Sequence, residues 1–372
     1  MRKFIFAVLL LIVLTPAYAT EYRFDTSKIN EIFSEYDNEF FDSHDYSKMI
    51  SDIQQGNFQF DYSKMFQKAW RLLIQELRQN LGIAVQIVMI ALLTGLLEHL
   101  KGNFASEGVM QIAFYVTYAI LATLIVGSFL QIYDIAKELI ANVTNFMKIL
   151  LPILVGLITA SGGINVSSIV YPLILVMSQF VTYFMTSFLL PISMIAFVLS
   201  LVSGISSKVK VAKIPKMLKS FSMWSMGIML TIFVGLVSLE GTIGSSIDGI
   251  TSKTAKFLFS GGIPVVGKLL GDSIDTILGS TILIKDAIGF IGIMALFGAV
   301  LTPIVKILSL LLVFYITSAI IEPFSDKRIC QCLSDTAENG KIVLGVVITV
   351  CIMFMIATVA MMKMSNTAVM YR

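Results

Sequence analysis

The stretch from Ile149 to Lys219 decides the fold: ILLPILVGLITASGGINVSSIVYPLILVMSQFVTYFMTSFLLPISMIAFVLSLVSGISSKVKVAKIPKMLK. It is apolar for most of its length and then becomes basic. Because about 20 apolar residues suffice to cross a bilayer, it is too long for one crossing. It predicts several membrane spans followed by a basic loop with no acidic residue among its lysines, which are Lys208, Lys210, Lys213, Lys216 and Lys219.

A related pattern occurs later in the chain. A shift of 112 residues places Pro152 on Pro264 and Pro191 on Pro303. Identities are sparse, but the prolines, the apolar run and the basic loop keep one offset without a gap. The sequence therefore predicts an internal repeat, with copies at 131–242 and 243–372.

The composition sets the class of protein. Of the 372 residues, 56% are hydrophobic and 14% are charged, and the mean hydropathy is +0.86. Soluble domains carry about 25% charged residues. We therefore expect an all-α, polytopic membrane protein that lies in the lipid bilayer. The net charge of +3 does not indicate a nucleic-acid partner, because the lysines cluster in short loops, where they report orientation.

The first residues resemble a secretory signal. Arg2 and Lys3 precede a short apolar core, and the segment 17–19, Ala-Tyr-Ala, supplies the small residues of a cleavage site. We predict a signal peptide over residues 1–19, with an uncleaved anchor as the alternative. Either one places the following segment outside the cytoplasm.

Residues 20–79 form an acidic segment. The pentapeptide Asp-Tyr-Ser-Lys-Met occurs at 45–49 and again at 61–65, and each copy opens a helical pattern. Asp and Ser suit the first positions of a helix, where they cap free amides. This segment is either a small extracytoplasmic docking domain or a pair of amphipathic helices on the membrane surface.

The remaining elements follow from hydropathy and period. The unit 80–130 holds two spans, about Leu81–Leu97 and Val109–Leu130. Residues 131–148 have apolar positions at helical spacing and predict an amphipathic helix along the membrane interface. The further predicted spans are Ile149–Ala160, Val166–Leu190, Pro191–Val202, Phe221–Leu239, Ile288–Leu301, Ile304–Ile321 and Ile342–Met361, with a second amphipathic segment at 243–259 and a loop at Ser325–Lys341.

The basic loop fixes the expected orientation. Short cytoplasmic loops carry an excess of lysine and arginine. If residue 20 is outside, the five lysines are cytoplasmic only when an odd number of crossings lies between residues 149 and 206. We therefore expect Ile149–Ala160 to cross, which makes three. A re-entrant dip at this point would leave the lysines outside.

The second copy departs from the first at its start. Lys268, Asp272 and Asp275 lie off an apolar stripe within 263–286. Charged residues at membrane depth normally face a cavity or a partner. If this stretch crosses, these three side chains line something polar; if it lies on the surface, they are solvated. We favour the surface, and the choice decides whether the two copies are parallel or inverted.

The sequence contains no recognisable catalytic constellation. It has no HExxH, no GxSxG with a histidine partner and no GxxxxGK[ST] phosphate loop. Three cysteines and two histidines are too few for a disulfide framework or a zinc centre, and the pair Cys330 and Cys332 is better explained as incidental than as a metal or redox site. We expect neither an enzyme nor a cofactor.

Three strings in this order resemble the stage III sporulation protein AE family. They are LLPILVGLITASGG at 150–163, GGIPVVGKLLGDSIDTILGSTILIKDAIG at 261–289 and TPIVKILSLLLVFYITSAIIEPFSDKRI at 302–329. A signal sequence and an acidic segment ahead of the first span complete the resemblance, which covers essentially the whole chain. The family has no established catalytic residues to transfer.

The resemblance implies a role in endospore formation. It implies a place in the mother-cell membrane around the engulfed forespore. There, other stage III sporulation proteins would be the partners: ring-forming subunits, a cytoplasmic ATPase and a forespore partner. Such a complex would form a channel or a secretion-like assembly between the two cells. The ATPase would supply the energy for which this chain has no nucleotide motif, and the chain could also form a homo-oligomer.

Three functions therefore compete. The first is a membrane platform or conduit subunit of that complex. The second is an independent secondary transporter with a site near Lys268, Asp272 and Asp275, because duplicated folds with broken segments commonly hold such sites. The third is a passive scaffold, which would tolerate changes at these residues but not in 20–79.

Overall fold

The computed structural model describes residues 62–99, 107–161, 163–205, 213–262 and 266–364, with the side chains of 239–262 and 266–277 outside the description. The predicted signal sequence, most of the acidic segment, Lys208 and Lys210 lie outside the described residues. The described helices are α1 (Tyr62–His99), α2 (Glu107–Ala160), α3 (Ile164–Phe184), a π-helical segment (Met185–Leu189), α4 (Leu190–Ile205), α5 (Lys213–Gly262), α6 (Val266–Ile321) and α7 (Lys327–Met364).

These helices are longer than the predicted spans because amphipathic and spanning segments join. In α1, the helical pattern after residue 61 continues without a break into the predicted span Leu81–Leu97. In α2, the span Val109–Leu130, the amphipathic stretch and Ile149–Ala160 form one helix of 54 residues. At 1.5 Å per residue, such a helix is about 80 Å long, well beyond the hydrocarbon core of about 30 Å.

The amphipathic pattern of 131–148 correctly predicts which side of α2 is buried. Seven of the eight apolar positions are at most 3% exposed, and Ile135 is half-buried; the seven are Ile132, Ala136, Leu139, Ile140, Val143, Phe146 and Met147. Polar residues occupy the opposite, exposed side. The apolar side is buried against protein, since α2 packs on α6 and α7.

The prediction of two spans separated at Pro191 is wrong. Proline lacks an N–H and its ring clashes with the carbonyl four residues earlier. Here the turn before Pro191 is widened into a π-helical segment, in which the N–H of Leu190 donates to the carbonyl of Met185. The chain stays helical from α3 through α4, and Tyr171–Ile205 is one candidate span.

The crossing count between residues 149 and 206 changes accordingly. Ile149–Ala160 ends α2, and α3 and α4 form one continuous helix with a single candidate span, Tyr171–Ile205, so one candidate crossing replaces the three that were predicted. One is also an odd number. On the predicted orientation, the lysine loop therefore stays on the cytoplasmic side.

Two predictions for the second half of the chain are also wrong. The predicted spans Ile288–Leu301 and Ile304–Ile321 are a single helix that runs through Pro303. The predicted loop Ser325–Lys341 is helical from Lys327, where α7 begins. Asp326 explains this start, because its carboxylate accepts the backbone N–H of Arg328 at 2.7 Å and so caps the helix.

The core of the described bundle surrounds α7. This helix packs against α6, α2, α4 and α5, while α1 packs mainly on α6. Several side chains of α7 have no exposed surface, among them Leu333, Val343, Val346 and Ala357. The rings of Phe129 in α2 and Phe197 in α4 stack at 3.8 Å in the same core. The repeat and its domain boundaries stay predictions.

A close backbone contact joins α1 to the turn between α6 and α7. A Cβ atom at Gly95 would overlap the carbonyl oxygen of Phe324.

We expect Gly95→Ala to lower the free energy of unfolding by about 1–3 kcal/mol, because backbone atoms cannot rotate away. Gly82 of the same helix has open space around it, so Gly82→Ala is the control and should stabilise by about 0.5–1 kcal/mol. Thermal unfolding of both purified variants in detergent measures the difference; equal stabilities would contradict the contact.

Candidate functional site

One of the predicted loop lysines lies in the protein rather than at its surface. Lys213 and Lys216 are exposed in the first turns of α5, whereas Lys219 is 8% exposed. The difference follows from helical spacing, because Lys219 lies on the side of α5 that packs against α7. Ile214 and Met217, in contrast, point outward.

Lys219 forms an ion pair with two acidic residues of α7. Its Nζ lies 3.1 Å from Oε2 of Glu338 and 3.5 Å from Oδ1 of Asp335. Asp335 is the less exposed partner, with 28% of its side chain exposed against 53% for Glu338. A partly buried pair is stronger than a surface pair but carries a desolvation cost. The pair therefore clamps α5 onto α7.

A second set of polar contacts continues the site inward. Asn339 is fully buried, and its Nδ2 donates to Oγ of Ser200 at 3.3 Å and to the carbonyl of Asp335 at 2.8 Å. The bond to Ser200 joins α4 to α7. The hydroxyl of Tyr118 in α2 donates to the carbonyl of Leu201 at 2.8 Å.

The start of α7 adds a charged contact at the same end of the bundle. Arg328 donates from its Nη2 to Oδ2 of Asp326 at 2.7 Å. Its guanidinium also lies 3.6 Å from the ring centroid of Phe114 in α2. This cation–π contact holds the start of α7 against α2. Together, these contacts form a polar network that joins α2, α4 and α5 to α7 beside the basic loop.

The three residues singled out in the second copy are outside this network. Lys268, Asp272 and Asp275 lie in the first turns of α6, where the backbone is helical and the side chains are outside the description. Their role as cavity or interface residues stays a prediction.

Sequence reasoning missed a buried lysine in α6. Lys285 has no exposed surface, donates from Nζ to the carbonyl of Met362 in α7, and lies 3.4 Å from Oδ1 of Asp286. Its signal was available, since Lys285 and Asp286 interrupt the apolar run Ile282–Ile288. Charged residues in apolar helices normally have a specific partner, and here the bond to Met362 ties α6 to α7.

The polar network of the described residues holds helices together. Among them, no group of three or more His, Cys, Asp or Glu side chains could hold a metal ion. Cys332 and Cys351 are buried and Cys330 is half-buried, and all three are free thiols. A groove on the outward side of α5 is lined by Met223, Trp224, Ile228 and other residues of that helix alone. Its apolar walls suit a lipid chain.

Six of the described helical stretches are long and apolar enough to cross a membrane, which makes the chain a multi-pass α-helical membrane protein. The model of the family described as Stage III sporulation protein AE matches residues 44–365, and the chain belongs to this family. A relative named Stage III sporulation protein AE, from Bacillus subtilis (strain 168), is 26% identical over 360 residues, which cover 96% of this chain and 90% of the relative. No solved structure matches the chain.

The Lys219 pair is testable by a double-mutant cycle. We expect Lys219→Met and Asp335→Asn each to lower the free energy of unfolding by about 1–3 kcal/mol, because the first leaves Asp335 partly buried and unpaired and the second leaves the buried Lys219 with Glu338 alone. Glu338→Gln should cost less, since Glu338 is more exposed. The Lys219–Asp335 coupling should be about 0.5–3 kcal/mol, measured from the folded fraction in SDS titrations.

The exposed Lys213 provides the matched control in the same helix. Lys213→Met should change stability by no more than about 0.5 kcal/mol. Additive effects of Lys219→Met and Asp335→Asn would show that the pair contributes no coupling.

Proposed function

We propose that this protein is an integral membrane platform or conduit subunit of a sporulation complex between mother cell and forespore, required for forespore development after engulfment. The observation that carries the proposal is the family match, which spans residues 44–365 and so includes every described helix. The proposed location is the mother-cell membrane around the forespore, with the N-terminal segment outside the cytoplasm.

The polar network supports a structural rather than a catalytic role. Lys219 of α5 pairs across helices with Asp335 and Glu338 of α7, and Arg328, which pairs with Asp326 at the start of α7, lies over the ring of Phe114 in α2. Such pairs fix the relative position of α5 and α7 and are not arranged as a nucleophile beside a base. A rigid bundle with fixed ends is what a platform for other subunits requires.

Two exposed regions are available to partners in the proposed complex. On the predicted cytoplasmic side, Lys213 and Lys216 project from the start of α5 and offer positive charge to an energising ATPase subunit. On the opposite side, the first half of α1 exposes Lys64, Lys68 and Arg71. This side would meet ring-forming subunits and, through them, the forespore partner.

A secondary transporter is the second candidate, and the buried Lys285 favours it. Buried charges in membrane helices often mark transport sites, and Lys285 lies in the same helix as Lys268, Asp272 and Asp275. Replacing these last three by alanine separates the candidates. If the triple variant folds and supports normal sporulation, a charged transport site at these residues is excluded, whereas a platform tolerates the change.

Deleting the gene tests the proposed function. We expect vegetative growth at the wild-type rate and spores that arrest after engulfment, with heat-resistant spore counts lower by several orders of magnitude. Re-expression of the intact chain should restore the counts. Normal spore counts from the clean deletion would contradict the proposal.

A further inference from the structure

The groove on the outward side of α5 begins directly after the basic loop. Its lining runs from Ser220 to Ile232. Residues 220–232 rise by about 18 Å along the helix axis, which is close to half of the hydrocarbon core of about 30 Å. The groove therefore matches the length of a lipid chain in one leaflet of the bilayer, and that leaflet is the one on the side of the basic loop.

Two lysines of the basic loop lie on the same side of α5 as the groove. Six exposed residues of this helix follow one another at steps of three or four, the spacing that aligns side chains along one side of a helix. They are Lys213, Lys216, Ser220, Met223, Gly227 and Thr231. Lys213 and Lys216 therefore continue the exposed side of α5 beyond the basic end of the groove.

Lys219 does not share this position. It is buried on the opposite side of α5, where its Nζ lies 3.1 Å from Oε2 of Glu338 and 3.5 Å from Oδ1 of Asp335. Its charge is therefore directed to α7, whereas the positive charges of Lys213 and Lys216 are exposed at the surface of the protein. A negatively charged group outside the bundle can reach these two ammonium groups.

Gly227 provides the open space in the groove. A Cβ atom built at Gly227 meets no other atom within 4 Å, so the missing side chain leaves room beside Trp224 and Thr231. The groove has a volume of about 610 Å³. Sites for small ligands have volumes of roughly 300–1,000 Å³, so the groove is large enough to hold part of a lipid molecule.

The two ends of the groove differ in polarity. Ser220 brings a hydroxyl group to the end beside the lysines. At the other end, the hydroxyl of Thr231 donates to the carbonyl of Gly227 at 2.8 Å, so it is satisfied within the helix, and Ile228 and Ile232 add apolar surface. A ligand with an anionic head and an apolar chain matches both ends.

We propose that the groove, together with Lys213 and Lys216, binds one anionic phospholipid of the leaflet on the side of the basic loop. The phosphate of the head group lies beside the two ammonium groups and the hydroxyl of Ser220, and an acyl chain runs past Gly227 towards Ile232. Clusters of lysine next to a membrane span attract anionic lipids. The groove adds a specific position for the chain to this attraction.

The fluorescence of Trp224 tests the site, because this residue lines the groove. The chain has two tryptophans, so Trp70→Phe leaves Trp224 as the only one. The purified variant is reconstituted in phosphatidylcholine vesicles that contain either brominated phosphatidylglycerol or brominated phosphatidylcholine, whose bromine quenches tryptophan on contact. We expect phosphatidylglycerol to be preferred beside Trp224 by roughly twentyfold, from about fivefold for each lysine.

Charge variants in the Trp70→Phe background test the head-group contacts. Lys213→Met/Lys216→Met should abolish the preference for phosphatidylglycerol, so that both brominated lipids quench equally. Lys137→Met/Lys148→Met is the matched control, because it removes the same charge from exposed positions of α2. It should keep the preference. An equal loss in both double variants would show a general effect of net charge and would overturn the site.

A steric variant tests the position of the chain. Gly227 and Gly235 of α5 both have open space at the Cβ position, so a leucine fits the fold at either, but of these two only Gly227 lines the groove. Gly227→Leu should lower the preference severalfold, and Gly235→Leu should not. An unchanged preference in Gly227→Leu would show attraction without a site in the groove, and no preference in the Trp70→Phe protein would overturn the proposal outright. The vesicle measurement does not depend on the proposed role in sporulation, so either proposal can fail alone.

Discussion

A continuous helix crosses a bilayer once, and this constraint organises the whole molecule. The backbone must satisfy its hydrogen bonds within the helix while it is in lipid, so each long helix is committed to a single passage. α2 and α6, with 54 and 56 residues, are more than twice the length needed for that passage. Both helices are therefore longer than the hydrocarbon core is thick, and part of each lies outside it.

The buried helix α7 holds the neighbouring helices together. It contacts α2, α4, α5 and α6, and its apolar side chains form the centre of the core. Polar contacts occur near both of its ends. Lys219 pairs with Asp335 and Glu338 beside the basic loop, and Lys285 donates to the carbonyl of Met362 at the other end. Such contacts are directional, so they set the register of the neighbouring helices, which apolar packing alone leaves loose.

The sequence predicted the class, the family and much of the buried surface. The 3.6-residue period of 131–148 identified the buried side of α2, because that period is a local property of the chain. Helix ends were harder to predict. Pro191 indicated a break, but a π-helical turn accommodates it, and Asp326 caps α7 sixteen residues before the predicted last span begins. Hydropathy reports neither a π-helical turn nor a capping side chain.

The candidate site, too, could be predicted from the sequence only in part. The five lysines were identified as a group, yet only a partner helix distinguishes Lys219 from Lys213 and Lys216. Asp335 and Glu338 were assigned to a loop, so their pairing with Lys219 was not foreseen. Lys285 was visible, beside Asp286, as a charge in an apolar run, but its bond between α6 and α7 depends on a contact 77 residues away in sequence. The sequence pattern shows which side of a helix is buried, but only the folded structure shows which residue of another helix a side chain contacts.

The single crossing by the continuous helix α3–α4 is the central claim, and labelling of one exposed position on each side of that crossing tests it most directly. Thr159, near the end of α2, and Lys213, at the start of α5, are both exposed, so protein shields neither of them. A membrane-impermeant maleimide should label Thr159→Cys in intact protoplasts of vegetative cells that express the chain and should label Lys213→Cys only after the membrane is opened. Labelling of both cysteines, or of neither, in intact protoplasts would contradict this account.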